Sequence, residues 1–326
     1  MCRPALLAAL CLVSGSHAAP RDLVADGRSA YVIRLCEGAT PAERHAADEL
    51  RRYLGKIAGV ELPVQEGGAL PDLALVVGRD AESDKLAPGA DWANLGGEGF
   101  FLRTAGTRLL LAGGRPRGTL YAVYSFLDEE LGCRWLAPDC EIVPRRPGLA
   151  LPVVDRAYKP RLEYRETFSH SAYDGDWAAR NFSNGHAANL LERHGGKTVY
   201  AGFVHTFYPL LPPEKHFAEH PEWYSEIGGK RTVERAQLCL TNPEVVEAMA
   251  GAVREWLRKH PEATLVSVSQ NDWHGACQCP DCRAVDAEEG GPSGAMIRFV
   301  NGVAERIEKE FPAVAVDTLA YQYTRH

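Results

Sequence analysis

Residues 265–282 carry the densest group of side chains capable of chemistry in this chain. Residues 264–269 form a short run rich in β-branched residues, the pattern of a strand buried on both faces. The run leads directly into Gln270, Asn271, Asp272, Trp273 and His274. In parallel α/β folds, ligands sit beyond the carboxyl ends of the strands, so these five side chains line the expected working face. Asp272 is the candidate for proton transfer there, and its structural alternative is to cap the turn that follows.

The same stretch continues as Cys277-x-Cys279-x-x-Cys282, and Cys239 lies on the neighbouring expected strand. Four thiols so placed allow two uses. The Cys-Pro-Asp-Cys spacing suits a tetrahedral zinc, whereas an oxidising compartment makes disulfides the commoner use. Residues 1–19 read as an export signal: Arg3, then an apolar run over residues 5–13, then Ser16-His-Ala18 before a cut near Ala19. The expectation is therefore a secreted or periplasmic protein with at least one disulfide in a thiol cluster of Cys239, Cys277, Cys279 and Cys282, no metal and no cofactor. Removing the signal takes nine cysteines to seven, an odd number that cannot all pair within one chain. No general base stands where it would activate a thiolate. A Gly-rich phosphate loop, a Gly-x-Ser-x-Gly elbow and a His-Glu-x-x-His pair are all missing from the sequence.

The elements that must position these residues follow from periodicity. The chain has 326 residues, 45% hydrophobic and 24% charged, with a net charge of −7, which is enough for two cores and gives no basic field for nucleic acid or an anionic membrane. No run after the signal is long enough to span a bilayer. Residues 31–36 alternate as a strand. Thr40, Pro41 and Glu43 then spell a capping box at a helix start, with Ala46, Ala47, Leu50, Tyr53, Leu54 and Ile57 on one face. A strand over 73–77, a hairpin over 98–112 and a helix beginning at 115–118 complete a small α+β domain over residues 20–150. Prolines 144, 147 and 160 mark a boundary.

Over residues 151–326 the spacing predicts strands at 161–168, 199–205, 236–240, 264–269 and 313–319. Helices follow Asn242-Pro243 and residues 290–293. Repeated β-then-α spacing is the pattern of a (β/α)8 TIM-type barrel. About five strands are present where eight are needed, so the fold class expected is α/β with an incomplete barrel, and a five-stranded doubly wound sheet is the alternative. The last strand would leave an open edge, which gives the further expectation that the chain is a truncated, inactive form.

Gly118-Thr-Leu-Tyr-Ala-Val-Tyr-Ser-Phe-Leu127 and Leu131-Gly-Cys-Arg-Trp-Leu-Ala-Pro138 resemble the domain that precedes the catalytic barrel in α-glucuronidases and β-hexosaminidases. Tyr164-Arg-Glu-Thr-Phe168, Gln237-Leu-Cys-Leu-Thr-Asn-Pro243, Ser267-Val-Ser-Gln-Asn-Asp-Trp273 and Thr318-Leu-Ala-Tyr-Gln-Tyr323 resemble the bacterial domain of unknown function 4838, a family thought to be glycoside-hydrolase-like. The resemblance implies a carbohydrate substrate and hydrolysis of a glycan or uronide by carboxylate acid/base chemistry, with a non-catalytic carbohydrate-binding protein as the alternative. β-Hexosaminidases end the corresponding strand with an acidic pair, and here that pair is Asn271 and Asp272, the catalytic candidates. Glycoside hydrolysis uses two carboxylates, and Glu166 and Asp317 are the in-chain choices for the second. Arg165, His205, Trp273, Tyr321 and Tyr323 are the substrate-binding candidates. Arg165 would act as a bidentate fork, His205 as a hydroxyl partner, and the aromatics as flat faces for a sugar ring. The sequence sets no oligomeric state, sugar or anomer.

Overall fold

The computed structural model describes residues 22–325, and the expected signal over residues 1–19 lies outside them. The described residues form a mixed α/β structure in two compact units, which divide between Lys197 and Thr198.

The first unit is built on a six-stranded sheet. Its elements in chain order are β1 (Val32–Leu35), α1 (Pro41–Ala58), β2 (Val64–Glu66), β3 (Ala74–Val77), β4 (Phe100–Ala105), β5 (Arg108–Gly113), α2 (Gly118–Ser125) and β6 (Asp155–Tyr158). The strands lie in the order β6-β4-β5-β3-β1-β2, parallel from β5 through β3 and β1 to β2, with β4 antiparallel between β5 and β6. Helix α1 starts where the capping box places it. Thr40 Oγ1 accepts from the Glu43 amide at 3.2 Å, and Glu43 Oε2 accepts from the Thr40 amide at 2.8 Å. Its apolar face packs with Tyr121, Val123, Tyr124 and Leu127 from α2 and the π-helical turn Phe126–Glu130 that follows it. Gly59 closes α1 at φ +70°, a conformation that costs other residues more.

The sequence boundary at residue 150 does not coincide with the compact division, for a physical reason. Strand β6 adds to the edge of the first sheet. The helix α3 (Gly175–Arg180) is also tied in, with Arg180 paired to Glu49 on α1 at 3.0 Å.

The second unit contains α4 (Pro243–Lys259), β7 (Leu265–Ser267), α5 (Pro280–Glu289), α6 (Pro292–Ile307) and β8 (Ala315–Asp317). Strands β7 and β8 pair in parallel, with Ser267 opposite Asp317. Helices α4 and α6 bury Val245, Met249, Val253, Met296, Phe299 and Val303 around them. No closed barrel occurs among the described residues, and the expectation of five barrel strands is corrected accordingly. Residues 161–168 form no strand, because the Arg165 amide bonds to Asn184 Oδ1 and the Arg165 carbonyl accepts from the Asn184 amide. Residues 199–205 contribute one parallel bridge, Tyr200 to Leu265, and residues 236–240 contribute one antiparallel bridge, Leu238 to Tyr224. Helix α5 was not anticipated from periodicity. Among the described residues, no helix is long and apolar enough to cross a membrane.

Candidate functional site

In the second unit, the chain leaving β7 turns into a loop held by one buried amide. Gln237 Oε1 accepts from the Asn271 amide at 2.8 Å, and its Nε2 donates to the carbonyls of Asn271, Trp273 and His274 at 3.2, 2.6 and 3.3 Å. Buried amides of this kind carry a desolvation cost unless they are satisfied, so Gln237 both requires the loop and shapes it. Gln270 is also fully buried. It donates to the Tyr321 carbonyl at 2.8 Å and accepts from Thr324 Oγ1 at 2.6 Å, which ties the segment after β8 to the end of β7. The signal for Gln237 in the sequence is a lone amide inside an otherwise apolar run, whereas Gln270 stands among polar residues that give no such signal.

Asp272 is carried on this loop with its side chain 59% exposed. Tyr321 Oη donates to its Oδ1 at 2.9 Å, and Gln322 Nε2 donates to the same oxygen at 3.2 Å. The His205 ring approaches from another segment, with Nε2 3.9 Å from Oδ1. His205 Nδ1 lies 2.8 Å from the Gln270 carbonyl oxygen, which can only accept. The proton of the neutral ring therefore belongs on Nδ1, and the Nε2 lone pair faces Asp272. Both His205 and Gln322 sit in the left-handed backbone region, at φ +56° and +50°. Such positions cost side chains of this size of order 1–3 kcal/mol each and gather where a contact must be aimed.

The remaining candidates separate by environment. Asn271 is buried. Its Oδ1 accepts from the Tyr208 amide at 3.3 Å and its Nδ2 donates to the Ala236 carbonyl at 3.0 Å, so its amide holds the loop. Trp273 is half-buried, donates from Nε1 to the Ala236 carbonyl at 2.6 Å, and meets Tyr208 edge-on. Tyr323 packs against the core of the second unit, and burial pushes its phenol well above the usual range. Arg165 lies in the first unit, where it pairs with Glu98 at 2.6 Å and donates to the carbonyls of Phe182 and Leu162. Glu166, also in that unit, accepts from Tyr164 and from the Ala187 amide. Asp317 is the last residue of β8, opposite Ser267 at the end of β7 and so five residues before Asp272 in register, and accepts from Tyr200. Burial raises its carboxyl above the usual range, while the hydrogen bond from Tyr200 opposes that shift.

The four cysteines converge. Their sulfurs all lie within 4.8 Å of one another, and each residue is buried. All the described cysteines are free thiols. Hydrogen bonds from Cys277 and Cys282 hold the Cys239 thiol far below its usual range and push the two donors up.

Residues 135–326, more than half of the chain, match the family described as Domain of unknown function (DUF4838). Residues 28–126 match the N-terminus of glycosyl hydrolase family 67. No curated protein matches the chain. Among solved structures, a family 115 4-O-methyl-α-glucuronidase with specificity for decorated arabinogalactans is similar at 14% identity and a TM-score of 0.45, covering 91% of this chain and 43% of its own. A mutant Streptomyces plicatus β-hexosaminidase in complex with its product GlcNAc is similar at 12% identity and a TM-score of 0.44, covering 92% of this chain and 62% of its own. The chain thus spans less than two thirds of the length of either protein.

Proposed function

We propose that this chain, which belongs to the Domain of unknown function (DUF4838) family, is an exported carbohydrate-active protein that hydrolyses a glycosidic bond in a glycan or uronide. The match of its front part to the N-terminus of glycosyl hydrolase family 67 supports the substrate class. The parallel pair β7 and β8, with α5 and α6 between them in sequence, supports reading the second unit as part of a (β/α) barrel wall. The observation that carries the reading is the convergence of Tyr321, Gln322 and His205 on the Asp272 carboxylate just beyond the end of β7.

In this reading Tyr321 and Gln322 fix Asp272 through Oδ1. Oδ2 has no protein hydrogen bond among the described residues and is the atom offered to substrate. A carboxylate so held can take the proton of an attacking water, or stabilise positive charge developing at the anomeric carbon. His205 Nε2 then accepts a hydrogen bond from a sugar hydroxyl beside Asp272. Asn271, Gln270 and Gln237 act as positioning residues, since their side chains are buried and hold the loop.

A second reading, carbohydrate binding without hydrolysis, is favoured by a specific observation. Among the described residues, none of the contacts made by Asp272 is with a second carboxyl group, and Asp317, at the end of β8, accepts from Tyr200 instead. A panel of aryl glycosides and uronides tests the two. Hydrolysis requires that Asp272→Asn lower turnover at least about a hundredfold, the scale of losing a general acid or base, with thermal unfolding unchanged. Turnover that survives the substitution removes Asp272 from catalysis. Oligosaccharide binding with no turnover across the panel leaves the binding reading.

A further inference from the structure

We infer that Cys239, Cys277, Cys279 and Cys282 form a tetrathiolate site for one structural zinc ion, which fixes the base of the loop carrying Asp272. Cys239 Sγ lies 3.7 Å from Cys279 Sγ and 3.8 Å from Cys282 Sγ. A tetrahedral centre with Zn–S bonds of about 2.3 Å has S···S edges of about 3.8 Å. Cys239 is thus at nearly the same distance from two different thiols, so the arrangement selects a four-cornered centre rather than one bonded pair. The residues are between 3% and 6% exposed. Four buried sulfur donors, with no carboxylate or imidazole among them, favour a soft, tetrahedral metal.

The surrounding groups suit thiolates. The Glu226 amide donates to Cys277 Sγ at 3.3 Å, and the Arg231 guanidinium lies 3.6 Å from the same sulfur. Thr241 Oγ1 is 3.2 Å from Cys282 Sγ and 3.8 Å from Cys239 Sγ. Such outer donors orient thiolate ligands, and a cation offsets the net negative charge of a four-thiolate zinc centre. Cys279 is the N-cap of α5 and Cys282 lies in its first turn, so the ten-residue helix directs its positive end at two of the ligands.

The placement also gives the ion a task. Cys239 follows Gln237 by two residues, and Gln237 holds the backbone of Asn271, Trp273 and His274. Cys277 follows the same loop after Gly275, whose φ of +92° and 2.2 Å approach of a would-be Cβ to the Arg235 carbonyl leave no room for a side chain. One ion bound by both segments would tie the far end of the loop to the segment whose Gln237 holds its middle.

The full chain, purified without added metal, should contain about one zinc per molecule by elemental mass spectrometry. A mercurial thiol reagent should release that zinc as four thiols react. Exchange of the whole protein with cobalt(II) should produce thiolate-to-metal charge-transfer absorption together with tetrahedral ligand-field bands, a readout that needs no variant to fold. Cys239→Ser and Cys282→Ser should lose most of the bound zinc, and Cys140→Ser, outside the cluster, should retain it. Cluster cysteines recovered as disulfides in metal-free protein would overturn the assignment. So would reduced protein that takes up neither zinc nor cobalt, or full zinc content in both cluster variants.

Discussion

Asp317 shows how the same side chain can be read in two ways until its surroundings are known. By type it is a candidate second acid. By position it is a half-buried residue opposite Ser267, with Oδ2 accepting from Tyr200 and Oδ1 shielded from solvent. Its folded-state pKa is raised chiefly by burial. The ionised form is therefore penalised in the folded state relative to the unfolded chain, where the value is about 3.9. The stability associated with this group is fully present below that unfolded value and is lost as pH rises through the folded one. Asp317→Asn keeps an acceptor for Tyr200 and removes the penalty. The melting temperature of the second unit should rise at neutral pH, and the difference from the natural protein should disappear near pH 3. A lower melting temperature at neutral pH would show that the charge is needed in place. Asp272 is the contrasting case, an exposed carboxylate whose partners reach it from separate segments.

At the scale of elements, local chemistry decides where a helix begins. Thr40 and Glu43 satisfy two amides that the first turn of α1 would otherwise leave without partners, and Glu43 also pairs with Arg115 at 3.0 Å. Thr40→Ala should cost the first unit about 1 kcal/mol in urea unfolding, while Thr40→Ser should cost much less. Equal losses would assign the effect to packing of the threonine methyl group. Helix α5 obeys the same kind of rule, with Pro280 at its first position and Gly290 at its end in the left-handed region. Its sequence carries these end signals but no strong apolar stripe, so periodicity does not mark it. Residues 236–240 went the other way. A short, largely apolar run predicts a strand, yet the Gln237 amide donates to Gly275 and the Cys239 amide donates to Trp223, so the ladder is replaced by loop contacts.

For the whole molecule, the proposed export rests on Arg3, the apolar run over residues 5–13, and Ser16 and Ala18 ahead of the cut. Expression in a bacterial host followed by N-terminal sequencing should find a mature start near Ala19, and an intact Met1 on cytoplasmic product would refute it. Export bears directly on the cysteine cluster. An oxidising compartment favours disulfides, but a zinc ion that reaches the site first removes all four thiolates from exchange, since the attacking and leaving groups are then metal ligands.

Periodicity and capping chemistry determined α1, β1, β3, the β4–β5 hairpin, α4 and α6, because each depends on residues close in sequence and on one face to bury. The family resemblance and the choice of Asp272 were legible for the same reason, as short strings with distinctive spacing. Contacts between distant segments were not. Only the tertiary structure brings His205 and Tyr321 to Asp272, holds Asn271 inside the loop, turns Arg165 to Glu98, and sets Cys239 at nearly equal distances from Cys279 and Cys282. Each of those outcomes joins segments far apart in sequence, and which of them meet is decided by packing.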